Sequence, residues 1–375
     1  MRGDYARVTA ADRPGVAQPV PVRPVPVRPW GRIMLGAVLI LALLVAGWEA
    51  YWRAYGVKPG IANSDGLWAI QRRRIDNGAG TATVVVSDSR LFFDLQLPVW
   101  EKLSGKRPIQ LGLEGTSALI FLEDLAADPK FTGRVLVGVA PQVFFGDYGF
   151  RAGALKYYRR ESPSQRIGQW LSMRLIEPRL AFYDVDFALG TVLKRQPWPE
   201  RPGRTWGMSV RKLSVTAADR NTYMWDKVEN DPDYRALMRE VWLRDLAPSD
   251  DDPPPAKMQE NAMQQVERAA KAVHTLQARG VKVLFVRSPS SGPFLEADNR
   301  MYPRKTTWDV LLARSGAPGI HFEDYPELQG LEQPEWSHLS HAAAEQYTAS
   351  LYRIIERDFW GPTAAAGHDQ AKSAP

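Results

Sequence analysis

The chain of 375 residues contains no cysteine. That absence excludes a disulfide, a thiol nucleophile, Cys-ligated zinc and a cysteine-held iron–sulfur cluster. It does not fix a compartment, since a thiol-free chain suits reducing and oxidising spaces alike. Histidine is scarce, with five residues, and none stands at metal-ligand spacing. Phosphate-cradling glycine loops and dinucleotide fingerprints are also missing, so neither a metal nor a cofactor is expected. No one sign of charge dominates: 48 Lys+Arg against 42 Asp+Glu leave +6, too mild to point to nucleic acid. What remains is a globular composition, 45% hydrophobic and 24% charged, with an unusually large number of Trp, thirteen.

The strongest single signal is Ile33 to Trp52, whose one charged residue is Glu49 and which is flanked by Arg32 and Arg53. Twenty residues at about 1.5 Å each span roughly 30 Å, one hydrocarbon thickness. A secretory signal would end in small residues; this run ends in Trp48, Tyr51 and Trp52, as a retained anchor does. Residues 1–32 are Pro-rich, with VPVRP repeated between Val20 and Pro29, and are expected to be a disordered or polyproline-II tail. Their six Arg against two Asp place this tail in the cytoplasm and the rest of the chain outside it, although Arg72, Arg73 and Arg74 beyond the anchor weigh the other way. Residues 361–375 read as a second disordered tail.

Beyond the anchor, short β-branched strands alternate with helical patterns. Strands are expected at Thr83–Val86, Ile109–Leu113, Val135–Ala140, Val281–Val286 and near Ile320–Phe322. Helices follow from Pro98 to Leu103, Ala118 to Leu125, Lys257 to Arg279 and Ala342 to Glu356. This is the pattern of a three-layer α/β/α domain over residues 54–360, built on a parallel sheet. Between about 146 and 250 the pattern shifts to Arg-rich amphipathic stretches, Ser164–Leu193 and Pro232–Leu246, which read as a helical insertion closed by the linker SDDDPPP.

Two segments put reactive side chains at strand carboxyl ends, where open α/β sheets carry their sites. One is Ser87-Asp88-Ser89-Arg90 and the other is the loop Glu335-Trp336-Ser337-His338. A Ser at a strand-to-helix turn can attack a carbonyl while helix-side amides hold the oxyanion. His338 can serve as its base, and Glu335, three residues earlier, can reach the far ring nitrogen. Taken singly, such a Ser is more often a cap and such a His a structural loop residue. Arg90, Arg287, Arg300 and Arg304 are placed to line the same cleft and bind carboxylates there, with a solvated face as the plainer alternative. His341 reads as a cap or surface residue, and His274 and His321 as structural.

These residues resemble the SGNH/GDSL hydrolase superfamily, and more closely its membrane-anchored extracytoplasmic branch. VVVSDSR is similar to the family's first block and implies Ser89 as nucleophile. EWSHL is similar to its last block and implies His338 as base, with Glu335 in place of the usual Asp. LGLEGTS is similar to the second block and implies the Gly115 amide as an oxyanion donor beside that of Ser89. The sequence departs from the family at Ser87, which stands where Gly is usual. It departs again at Gly138-Val139-Ala140-Pro141-Gln142, which lacks the third block's Asn.

The resemblance implies a single-pass bacterial inner-membrane protein whose periplasmic domain attaches or removes acyl groups, acetyl first among them, on an envelope or extracellular polysaccharide. It also implies a membrane-bound O-acyltransferase as partner. The rival expectation is a catalytically silent domain of the same fold that binds glycan or scaffolds an assembly complex.

Overall fold

The computed structural model describes residues 28–196, 211–248 and 253–361. The expectations for most of the Pro-rich tail, for the C-terminal tail after Gly361 and for most of the SDDDPPP linker lie outside the described residues. The chain divides into two compact units, Met1–Ala50 and Tyr51–Pro375. The first holds most of the helix Trp30–Ala54, which is long and apolar enough to cross a membrane.

Among the described residues the second unit has seven strands: β1 (Thr83–Val86), β2 (Ile109–Gln110), β3 (Arg134–Gly138), β4 (Ser214–Thr216), β5 (Thr222–Met224), β6 (Lys282–Arg287) and β7 (Gly319–His321). Five of them form an all-parallel sheet in the order β2-β1-β3-β6-β7. Alternate side chains on each strand serve opposite faces. Val84, Val86, Val135, Val137, Val283 and Phe285 join one core with the helices Leu119–Ala127 and Pro255–Gln277. Val85, Leu136, Leu284 and Val286 join the other with the helices Leu97–Ser104 and His341–Ile355. Burial on both faces is why these strands read as unbroken apolar runs. The result is the expected three-layer α/β/α arrangement.

The strand order puts the topological switch at β1. The chain passes from β1 to β2 on one side, then returns to β3 on the other, opening a crevice beyond the carboxyl ends of β1 and β3. Strand β2 is shorter than expected, yet Leu111 and Leu113 amides still donate to Val85 O and Ser87 O at 2.8 and 2.9 Å. The stretch Ser164–Leu193 is broken rather than continuous: a helix Pro163–Leu171, a π turn Ser172–Ile176, a 3-10 turn Ala181–Tyr183 and a helix Leu189–Lys194. Pro178 has no amide hydrogen to carry a helix through. Pro232–Leu246 is a single helix as expected, capped by Asp231, whose carboxylate accepts the Tyr234 amide at 3.1 Å.

The antiparallel hairpin β4–β5 was not expected from the sequence pattern. It is tied to the domain by polar contacts: the Leu97 amide donates to Asn221 Oδ1 at 2.7 Å and Gln96 Nε2 donates to Thr222 O at 2.9 Å. In its turn, Arg220 is fully buried, donates to Gly112 O and Asn63 Oδ1, and lies 4.9 Å over the Phe92 ring.

Candidate active site

Ser87 ends the β1 ladder and is fully buried with its hydroxyl unpartnered. It fits because its neighbours on both adjacent strands are glycines. A Cβ on Gly138 would lie 2.6 Å from Ser87 Cβ, and one on Gly112 would collide with Ser87 Oγ. A side chain where the resembling family has Gly is thus accommodated by two glycines elsewhere. Asp88 then caps the helix Ser89–Asp94, accepting from the Arg90 amide at 2.8 Å and the Ala140 amide at 2.7 Å. Its two oxygens lock the turn after β1 onto the turn after β3.

Ser89 is the first residue of that helix and is half-buried. Its amide hydrogen and its hydroxyl make no hydrogen bond within the described residues. Gly115 is in the same condition: its amide donates to nothing, while its carbonyl accepts from Phe150 at 3.1 Å. Because the Leu113 amide donates to Ser87 O, the two chains run side by side up to two residues before Ser89 and Gly115. Gly115 adopts φ +56°, in the left-handed region that Gly enters without steric cost.

The loop Glu335–His338 packs along the same helix. The His338 ring stacks on Phe93 with centroids 4.4 Å apart, and the Leu339 amide donates to Asp94 Oδ1 at 3.1 Å. Phe93 lies one helical turn from Ser89, four residues on, so Ser89 shares the face that meets His338. Glu335 and His338 are both buried, and Glu335 Oε1 lies 2.7 Å from His338 Nδ1 and accepts the His338 amide at 2.7 Å. A carboxylate oxygen at that distance takes the ring's Nδ1 hydrogen, which orients the imidazole and leaves Nε2 as the atom that can act. His338 Nε2 has no hydrogen-bond partner.

The second Glu335 oxygen accepts from the Trp242 indole, a contact that no motif in the sequence signals. One turn earlier on the Pro232–Leu246 helix, Arg239 donates to Pro334 O at 2.9 Å and lies 4.9 Å over the Trp336 ring. Trp336 holds φ +73°, strained for a bulky residue. The inserted helix therefore braces both the carboxylate and the strained residue beside it. A periodicity scan could find that helix, but not which of its faces meets a loop 93 residues away.

The four arginines do not share one open cleft. Arg90 and Arg287 are buried and both pair with Asp298 Oδ2, at 2.6 and 2.8 Å. Burial lowers the Arg287 pKa to about 10 despite Asp298, and Asp298, buried too, is held below the usual carboxylate range by both guanidiniums. Both guanidiniums are buried and engaged with Asp298 rather than open to solvent. Arg304 is half-exposed and pairs with Asp324 and Asp309, and Arg300 is exposed. His321 is buried, with its pKa lowered to about 3 by burial and by Arg287 and Arg304. His341 begins the last helix, and its ring stacks on Tyr223 at 4.1 Å. His274 is exposed near the end of its helix.

Two further features border the site. Gln142 opens the helix after β3, and its Nε2 is buried with no acceptor. Phe150 is 83% exposed beside Gly115, on a loop pinned by Ser117 N to Tyr148 O at 2.7 Å and Arg151 N to Thr116 Oγ1 at 2.8 Å. No cluster of three or more potential metal ligands occurs among the described residues.

No family model matches the chain, and no curated protein does. Among solved structures it is similar to a crystal structure of TesA, at 12% identity and a TM-score of 0.32, over 73% of this chain and 98% of that one.

Proposed function

We propose that this chain is a membrane-anchored serine acyl-transfer enzyme of the SGNH type. The observation that carries the reading is the buried Glu335–His338 pair, with Nε2 unbonded on the helix face that Ser89 shares. In the proposed cycle, His338 Nε2 takes the hydroxyl proton as Ser89 Oγ attacks an ester carbonyl. Glu335 holds the imidazolium that forms. The Ser89 and Gly115 amides, free of other partners, donate to the tetrahedral oxyanion. Its collapse expels the alcohol, protonated by His338, and leaves an acyl-serine. Water then releases the acid, or a sugar hydroxyl takes the acyl group.

The acceptor or substrate we propose is an envelope or extracellular polysaccharide, the acyl group acetyl, and the setting a bacterial inner membrane with the domain in the periplasm. A membrane-bound O-acyltransferase is the proposed donor-side partner, since one apolar helix cannot itself conduct an acyl donor. The motif resemblance and the apolar run Ile33–Trp52 support these assignments.

One observation favours the rival, a silent glycan-binding or scaffold domain: no hydrogen bond joins Ser89 to His338. Such bonds are often loose before substrate arrives. The deciding experiment offers a chromogenic acetyl ester to the full chain in detergent, beside Ser89→Ala and His338→Ala, with intact-mass detection of an acyl adduct. Turnover and adduct that vanish in Ser89→Ala support the enzyme. A folded wild-type chain with neither supports the scaffold.

A further inference from the structure

Most large apolar side chains exposed among the described residues outside the helix Trp30–Ala54 fall between Ile167 and Leu193. They are ordered along their elements. Ile167, Trp170, Leu171 and Leu175 follow helical spacing through the helix Pro163–Leu171 and the turn after it, and Leu189 and Leu193 are four apart on the helix Leu189–Lys194. The helix Pro163–Leu171 buries none of its residues. A nine-residue helix that buries none of its side chains is marginal in water even with its Ser162 capping box. Trp170 is 58% exposed, Val185 68% and Leu189 56%, far from what a monomer surface normally leaves open in one segment.

The chain itself says what lies against this segment. Trp52, the last residue of the apolar run, is buried and packs on Phe187 with ring centroids 4.6 Å apart. Tyr55 meets the same ring at 6.3 Å, and Arg53 donates to Arg179 O at 2.8 Å. The point where the run ends is therefore held against the segment that carries the exposed apolar residues. A cavity of about 180 Å³ opens there, lined by Tyr51, Tyr55, Phe187, Arg211 and Lys212 among others. Arg166, Arg174, Arg179 and Lys194 are exposed between the apolar positions. Apolar, aromatic and basic side chains alternating in this way match the boundary between acyl chains and headgroups.

We propose that Pro163–Lys194 lies on the bilayer that the apolar run enters, with Ile167, Trp170, Leu171, Leu175, Leu189 and Leu193 set into its interfacial layer. The membrane contact is then a helix plus a platform. The inference rests on the reading of Ile33–Trp52 as a membrane anchor and does not depend on catalysis.

The cysteine-free sequence makes the test direct. Single variants Trp170→Cys, Leu189→Cys, Leu41→Cys and Arg314→Cys of the full chain are labelled with a small fluorophore. Each is reconstituted into phosphatidylcholine–phosphatidylglycerol vesicles with and without headgroup-proximal and deep nitroxide lipids. Leu41 reports the anchor; Arg314, on the helix that leads into the edge strand β7, reports the aqueous face. Shallow nitroxide is expected to quench labels at 170 and 189 at least twofold and to leave 314 unchanged, with the same result in a Ser89→Ala background. Quenching at 41 but not at 170 or 189 overturns the platform and leaves the anchor standing. No quenching at 41 overturns both. Labels at 170 and 189 that are shielded from aqueous iodide only in native membranes, and unquenched in pure lipid, assign the face to a protein partner and overturn the proposal. Esterase turnover is measured separately, so a failure of the catalytic reading is not confused with a failure of this one.

Discussion

The Trp242 indole donates to the Glu335 carboxylate oxygen that His338 leaves free. Glu335 is fully buried, and a buried carboxylate short of a donor bears the full desolvation penalty of that atom. The inserted helix thus completes the electrostatics of a pair whose other members come from the last loop. Trp242→Phe keeps an aromatic ring, smaller than the indole, and removes the donor. In the proposed enzyme, kcat is expected to fall about tenfold with KM little changed, because the lost group acts through Glu335 rather than on substrate. Glu335→Gln, which also frees the ring tautomer, is expected to cost about 10²–10⁴. Measuring kcat and KM for both variants checks the order; equal, small losses would remove Glu335 from the mechanism.

Phe150 gives a second expectation. Its loop is pinned to residues 115–117 while its ring is 83% exposed beside Gly115, which is a rigid aromatic surface at the mouth of the proposed oxyanion site. Phe150→Ala is expected to raise KM for an acetylated oligosaccharide about five- to tenfold, since stacking on one aromatic is worth ~1–2 kcal/mol. For a small chromogenic ester, too short to reach the ring, kcat/KM is expected to stay within twofold. Parallel losses on both substrates would show that the loop merely holds Gly115 in place.

Much of this architecture was legible in the sequence, for a physical reason. Strands buried on both faces must be apolar throughout, so β1, β3 and β6 announced themselves, and Gly105 marked a helix end by needing φ +71°. The placement of Ser89 just after β1 and of Glu335 and His338 in the loop before the last helix was legible because both places are fixed by chain order. The pairing of Arg90 with Arg287 through Asp298 was not, because a polar side chain carries no mark of whether it faces water or a buried partner 208 residues away. Nor was the β4–β5 hairpin, whose strands are three residues each and which is held in large part by polar contacts. Sequence pattern reports burial well and polar partnership poorly.

The packing of Ser87 between two glycines makes a coupled prediction. A Cβ at Gly112 would collide with Ser87 Oγ and stand 3.1 Å from Phe92 Cβ. Gly112→Ala is expected to destabilise the domain by about 1–3 kcal/mol through overpacking. Ser87→Ala removes a buried hydroxyl that has no partner and should be neutral or stabilising. The double variant is expected to recover ~1 kcal/mol relative to the sum of the singles, a coupling readable by denaturant unfolding of all four chains. Strict additivity would mean that Phe92, not Ser87, is what the new methyl meets.

Asp94 supplies a pH dependence whose sign follows from its burial. It is fully buried at the end of the helix Ser89–Asp94, and burial raises its pKa well above the ordinary range, against the opposing Leu339 amide and Arg90. The unfolded chain releases this proton near the usual value of about 3.9, whereas the folded one retains it to higher pH. Above that value the native state therefore binds more protons than the unfolded state, and this group's contribution to stability falls as pH rises until the folded pKa is passed. Asp94→Asn keeps an oxygen for the Leu339 amide and removes the titration. Its Tm is expected to exceed that of the parent by a few degrees at pH 8, ~1 kcal/mol being worth about 2–4 °C in a domain of this size class. Toward pH 4 the gap should narrow, since the unfolded parent then begins to take up the proton as well. Thermal unfolding of the pair across pH 4–8 checks this, and a gap that is constant or that widens toward acid would show Asp94 to be ionised in the fold.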